Sequence, residues 1–327
     1  MGSAAIRVAF AACMALAAAM PVFGDAGFGM FEFEDLEAPV FYAATSPIGK
    51  GSNCELAVVQ IHGASGGMAI SKEAPAMLMA LKAAIGDGGP EPYVIAPLFP
   101  GENMPERGGG TGRKRAVWKA SRKKAPDGAG RAYGDWRGGG DAVGTTMSSY
   151  DVVDAIFAAL GDKKKFPALK RVVLTGFSAG GQFVARYVAV GKGFVRKGVV
   201  LEYAVMAPSS EFHLDPDSRW HYGLKNRPRY SAGLSESVIL KNLSRRRVWR
   251  GCGTADVKTR PHTRLDVSPA AMRQGENRYA RFLNFEKYLK RYPSWAKQVT
   301  FHSFEGMGHW NPKAHSDPAF IKFVIGR

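Results

Sequence analysis

Residues 171–189, RVVLTGFSAGGQFVARYVA, decide the reading of this chain. Val172, Val173, Leu174 and Thr175 form a β-branched, apolar run of the kind that fills a strand buried on both faces. The run turns sharply through Gly176-Phe177-Ser178-Ala179-Gly180 and resumes as a helix with Phe183, Val184, Tyr187 and Val188 on its apolar stripe. Gly191-Lys192-Gly193 stops that helix. Strand, G-x-S-x-G and helix in immediate succession is the nucleophile elbow. A serine sits on a strained turn, with glycines two residues to either side because a Cβ there would collide. The bare pattern is weak in a chain with 39 glycines among 327 residues, so the buried strand before it and the amphipathic helix after it carry the weight.

With that context the sequence resembles the α/β-hydrolase superfamily. The resemblance covers most of the chain from about Pro39 onward and implies an α/β fold: a mostly parallel central sheet, helices on both faces and a lid-like insertion. Upstream of the elbow, the buried strand Leu56–Ile61 ends in His62-Gly63-Ala64-Ser65-Gly66-Gly67. In the superfamily a backbone N–H of this HG loop joins that of the residue after the nucleophile to form an oxyanion hole, which implies Ala64, or else Ser65, together with Ala179. Downstream, the strand Val248–Gly251 leads into Gly253-Thr254-Ala255-Asp256, where the superfamily carries its triad carboxylate; Asp266 and Glu211 are the alternatives.

The last strand, Gln298–Phe304, runs into Glu305-Gly306-Met307-Gly308-His309-Trp310. Of seven histidines, His309 alone combines the right chain order with a glycine-containing loop that lets an imidazole swing to a serine. The order Ser178, Asp256, His309 is that of the α/β-hydrolase triad. Within the superfamily, GFSAGGQF and GMGHW look most like an exported bacterial branch.

The rest of the chain supplies a scaffold. Phe31–Glu34 and Pro39–Ala44 read as an opening antiparallel pair at the sheet edge. A helix over about 71–85 and the strand Tyr93–Pro97 continue a βαβ alternation. Ser148, with Asp151 in the first turn, caps the helix before the elbow strand. Arg250 is a charge within a strand and requires a partner or an edge position. Two stretches break the pattern. Residues 101–146 are glycine-rich, with a basic cluster (Arg113, Lys114, Arg115, Lys119, Arg122, Lys123, Lys124) that reads as a flap, a nucleic-acid patch or a solvated excursion. Residues 208–247 carry Phe212, Trp220, Tyr222 and Tyr230, and the resemblance suggests a cap over the pocket.

The first 26 residues look like a secretory signal: Arg7, an apolar core Val8–Ala19, and small residues Gly24-Asp25-Ala26. That leaves one domain over 27–327 and a secreted or periplasmic location, and it argues against nucleic acid as a partner. Cys54 begins one strand and Cys252 ends another, so the two are expected as free, buried thiols and not a disulfide. The net charge of +17 allows weak association with anionic surfaces.

No metal-ligand spacing and no nucleotide fingerprint occurs, so no cofactor and no metal is expected. The expected activity is hydrolysis of a carboxylic ester in a small or polymeric acyl substrate, through an acyl-enzyme on Ser178. Peptide or thioester cleavage, acyl transfer, and a non-catalytic binding protein on the same scaffold remain alternatives.

Overall fold

The computed structural model describes residues 28–33, 36–64, 66–100, 115–118, 135–259 and 265–327. Segment 1–26 and most of the basic cluster at 113–124 lie outside the described residues. Eight strands form one sheet: β1 (Gly29–Phe33), β2 (Val40–Ala44), β3 (Leu56–Ile61), β4 (Tyr93–Pro97), β5 (Arg171–Phe177), β6 (Val200–Met206), β7 (Val248–Gly253) and β8 (Val299–Phe304). Their spatial order is β1-β2-β4-β3-β5-β6-β7-β8. The opening pair is antiparallel, β2 runs antiparallel to β4, and every later pairing is parallel.

Ten α-helices accompany the strands among the described residues, with a short 3-10 helix at Trp136–Gly138. In chain order they are α1 (Gly67–Ile85), α2 (Ser149–Leu160), α3 (Ala179–Val190), α4 (Arg229–Ala232), α5 (Glu236–Leu243), α6 (Pro269–Met272), α7 (Arg278–Leu289), α8 (Pro293–Ala296), α9 (Asn311–His315) and α10 (Pro318–Ile325). None is long and apolar enough to cross a membrane.

Alternation along the strands divides the core in two. Val172 and Leu174 of β5 face a cluster with Ile156 and Phe157 of α2, Phe183 and Tyr187 of α3, and Leu243 of α5. Val173 and Phe177 face the other side, against Met77, Leu78 and Leu81 of α1 and Phe320 and Val324 of α10. Because both faces are covered, β5 reads as an unbroken apolar run.

The predicted cap of α2 forms as a reciprocal pair. Ser148 Oγ accepts from Tyr150 N at 3.1 Å, and Ser148 N donates to Asp151 Oδ2 at 2.9 Å. The helix expected over 71–85 begins four residues earlier, because Gly66 at φ 57° turns the chain directly into α1 without a side-chain cap. Cys54 and Cys252 are buried free thiols, at opposite ends of their strands.

Both irregular stretches contribute large side chains to the core. Trp118 is fully buried, its Nε1 donating to Gly140 O at 2.9 Å. Trp136 stacks on Phe99 with ring centroids 5.6 Å apart. Phe212 and Trp220, expected in a cap, are instead buried in the main core, with Trp220 Nε1 donating to Gly138 O at 2.7 Å. A large ring whose polar handle meets a fixed partner is a core element, which composition could not distinguish from a pocket wall.

Arg250 finds its partner across the sheet end. Its guanidinium pairs with the buried Glu211 carboxylate and lies 4.2 Å from the centroid of Phe285. Removing one member of such a pair strands the other charge away from water. Arg250→Met is therefore expected to cost about 3–5 kcal/mol in a denaturant titration, and adding Glu211→Gln, which neutralises the stranded group, to recover much of that loss.

Candidate active site

The elbow is held by main-chain contacts that leave no room for side chains. Ser178 sits at φ 57°, ψ −112°, a conformation rare outside glycine, and is pinned by its N–H to Met206 O at 2.9 Å. A Cβ on Gly176 would lie 2.4 Å from the carbonyl carbon of Gly180. One on Gly180 would lie 2.1 Å from Ile61 O, and one on Gly181 2.4 Å from Met206 O. The GFSAGG run thus lets the first turn of α3 rest against the ends of β3 and β6.

A second close approach positions the partners of Ser178. A Cβ on Gly253 would lie 1.9 Å from Met307 O. The loops after β7 and β8 are laced by Thr254 N to Phe304 O and Ala255 N to Met307 O, both 3.0 Å. Asp256 and His309 project from these laced loops. His309 Nδ1 lies 2.6 Å from Asp256 Oδ2, and its Nε2 lies 2.9 Å from Ser178 Oγ. The carboxylate accepts only, so Nδ1 carries the proton and Nε2 is left to accept from the serine.

The two alternative acids do not reach the histidine. Glu211 is taken by Arg250, and Asp266 accepts from Tyr222 OH at 2.6 Å and Ser268 N at 2.9 Å. Their neighbours, unlike those of Asp256, hold them on the adjoining loops.

Arg278, which sequence reasoning did not single out, backs this constellation. At the first position of α7 it is 2% exposed, with Nη1 3.6 Å from Asp256 Oδ1 and Nη2 donating to Ser209 Oγ at 2.9 Å. Burial lowers the His309 pKa below the ordinary histidine value; the bond to Asp256 works against that, and the Arg278 charge adds to it. No pattern of spacing marks Arg278, because its partner is 22 residues away and meets it only through the packing of α7.

Beside the serine, the loop after β3 is stiffened by His62. Its Nδ1 lies 2.7 Å from Gly63 O, and its Nε2 accepts from Phe99 N at 2.9 Å. Trp136 packs on the ring at 4.7 Å, and burial pushes its pKa down to about 4, so it is neutral near pH 7. No described group accepts from the N–H of Ala64 or of Ala179. The contact of Gly180 with Ile61 sets the two loops side by side. Ser65 lies outside the described residues. Arg186, fully buried, ties α3 to the next segment: Nε donates to His221 O at 3.0 Å and Nη2 to Ser210 Oγ at 2.9 Å. Among the described residues there is no cluster of His, Cys, Asp and Glu able to hold a metal ion.

No protein-family model matches the sequence, and no curated protein matches it. Solved structures do. LpqC, a poly(3-hydroxybutyrate) depolymerase from Bordetella parapertussis, superposes with a TM-score of 0.62 at 20% identity, covering 94% of this chain and 93% of the other. Poly(aspartic acid) hydrolase-1 from Sphingomonas sp. KT-1 gives a TM-score of 0.62 at 19% identity, covering 91% of this chain and 98% of the other. At these identities the likeness establishes the fold, and the chain has the α/β-hydrolase fold.

Two outcomes follow from the geometry. Gly180→Ala is expected to displace the elbow from β3 and to abolish reactivity of Ser178 while the far-ultraviolet circular dichroism stays native. Arg278→Met removes a positive charge that adds to burial in disfavouring the protonated His309, so the pKa read by histidine NMR titration should move up, and Arg278→Lys should reverse part of that rise.

Proposed function

We propose that the protein is a serine hydrolase that cleaves carboxylic esters through an acyl-enzyme intermediate, with Ser178 as nucleophile, His309 as general base and acid, and Asp256 as its orienting carboxylate. The observation that carries this reading is the unbroken chain of short contacts from Asp256 Oδ2 through His309 to Ser178 Oγ, 2.6 and 2.9 Å. His309 Nε2 takes the Ser178 proton as Oγ attacks the carbonyl carbon, and the developing oxyanion is held by the N–H groups of Ala64 and Ala179. Collapse of the tetrahedral intermediate breaks the ester C–O bond, and His309 returns the proton to the leaving alcohol. Water then repeats the sequence, with His309 as base, to release the acid and regenerate Ser178.

Asp256 keeps the imidazole in the tautomer this cycle needs and stabilises the imidazolium that forms in it. Two structures with the same fold, described as a poly(3-hydroxybutyrate) depolymerase and a poly(aspartic acid) hydrolase, support placing polymer-derived acyl compounds first in a substrate panel. The leader read from residues 1–26 fits an enzyme that meets such a substrate outside the cytoplasm.

A fluorophosphonate probe tests the nucleophile without knowledge of the substrate. Labelling located by peptide mass spectrometry is expected on Ser178 and is expected to vanish in Ser178→Ala and His309→Ala, with turnover of an activated ester falling at least about 10⁴-fold. Because only neutral His309 can act as base and its pKa is lowered by burial, the acid limb of kcat/KM should lie below the ordinary histidine range and activity should persist into mildly acidic buffer. A folded wild-type protein that takes no label would overturn the assignment.

A further inference from the structure

The basic residues look scattered along the sequence, but the parallel sheet gathers many of them onto one face. Strands β3 to β8 are mutually parallel. Register sets Leu56, Arg171 and Val200 side by side, and Val248 beside Val299, so the segments entering these strands share one edge. Lys163, Lys164 and Lys165 enter β5, Lys197 enters β6, and Arg245 and Arg247 enter β7, every one of them exposed. Exposed Lys290 and Lys297 precede β8, and a 3.0 Å contact between Ser244 and Ser294 hydroxyls ties those last two segments together.

The acidic residues on this edge are fewer: Asp87 and Glu91 precede β4, with Glu91 paired to Lys82, and Asp162 precedes the three lysines. Glu55 pairs with Lys170, and Glu202, buried in β6, pairs with Arg171 and Arg247. Lys163, Lys164, Lys165, Lys197, Lys290 and Lys297 make no ion pair among the described residues. The segment that enters β6 also leaves an apolar ring in water. The segment Lys192-Gly193-Phe194-Val195-Arg196-Lys197 leaves Phe194 67% exposed, and Val200, the first residue of β6, is 50% exposed.

We propose that this face docks on an anionic lipid bilayer, with the lysines and arginines against the headgroups and Phe194 in the interface. An exposed aromatic ring on the same edge as exposed lysines and arginines matches such a surface, because the headgroup zone offers charge and an apolar phase together. A soluble polyanion would satisfy the cations and leave the ring in water. Ser178 lies at the other end of β5, a strand of seven residues, so the reactive mouth faces away from the bilayer by roughly 20 Å. This docking is independent of which bond the enzyme cleaves.

Vesicle sedimentation of the purified protein tests it, using phosphatidylcholine alone or with about a quarter phosphatidylglycerol. The protein should sediment with the anionic vesicles only. Each basic side chain near such a surface contributes roughly fivefold in partitioning. The joint variant Lys163→Glu, Lys164→Glu, Lys165→Glu, Lys197→Glu should therefore lose at least about a hundredfold. Phe194→Ser should weaken binding several-fold, and both variants should retain wild-type fluorophosphonate labelling, which shows that they are folded and separates this outcome from the fate of the hydrolase assignment. Binding to neither vesicle, equal binding to both, or unchanged binding by the charge-reversed variant overturns the proposal. So does a Phe194→Ser protein that binds vesicles as well as wild type while heparin competes fully, since that pattern belongs to a soluble polyanion.

Discussion

Main-chain atoms meet at the carboxyl edge of the sheet at distances that exclude even a methyl group, and the geometry of the site depends on these contacts. Gly180 against Ile61 O and Gly181 against Met206 O fix the elbow on the ends of β3 and β6, and Gly253 against Met307 O fixes the loops after β7 and β8 to each other. Side chains hop between rotamers; packed peptide planes do not. The 2.6 and 2.9 Å contacts of His309 are consequences of that placement, because the loops bearing Ser178, Asp256 and His309 have little freedom to drift.

Around this edge the protein buries an unusual amount of cationic charge. Arg186, Arg250, Arg278 and Arg281 are each 3% exposed or less. A buried guanidinium is tolerable when its donors are used, and several of these bind carbonyls and carboxylates from segments distant in sequence. Arg186 joins α3 to the segment after β6, and Arg281 joins α7 to Asp266 O. The 208–224 stretch, short of regular structure, is thereby stitched to the elbow helix. One of them, Arg278, adds its charge to the burial that lowers the His309 pKa.

The two edges of the sheet have opposite characters. The carboxyl edge carries tight glycine contacts, compensated charge and the serine; the amino edge carries uncompensated lysines and an exposed phenylalanine. Parallel connectivity makes this separation possible, since every strand in β3–β8 enters at one edge and leaves at the other.

Features that depend on neighbours along the chain are legible in local pattern. The buried run before Ser178, the glycines around it, the Ser148 cap and the loop contexts of Asp256 and His309 are local patterns, and the structure brings those three side chains together in that order. Tertiary structure decided the rest, because the deciding contact lies far away in sequence. Phe212 and Trp220 read as a pocket wall until packing showed them in the core. Glu211 and Asp266 were competing acids until Arg250 and Tyr222 were seen to hold them. Arg278 had no marker at all. The charge of +17 looked dispersed because its carriers lie in different connections, and only a parallel sheet, by returning each connection to the same edge, converts that dispersion into a face.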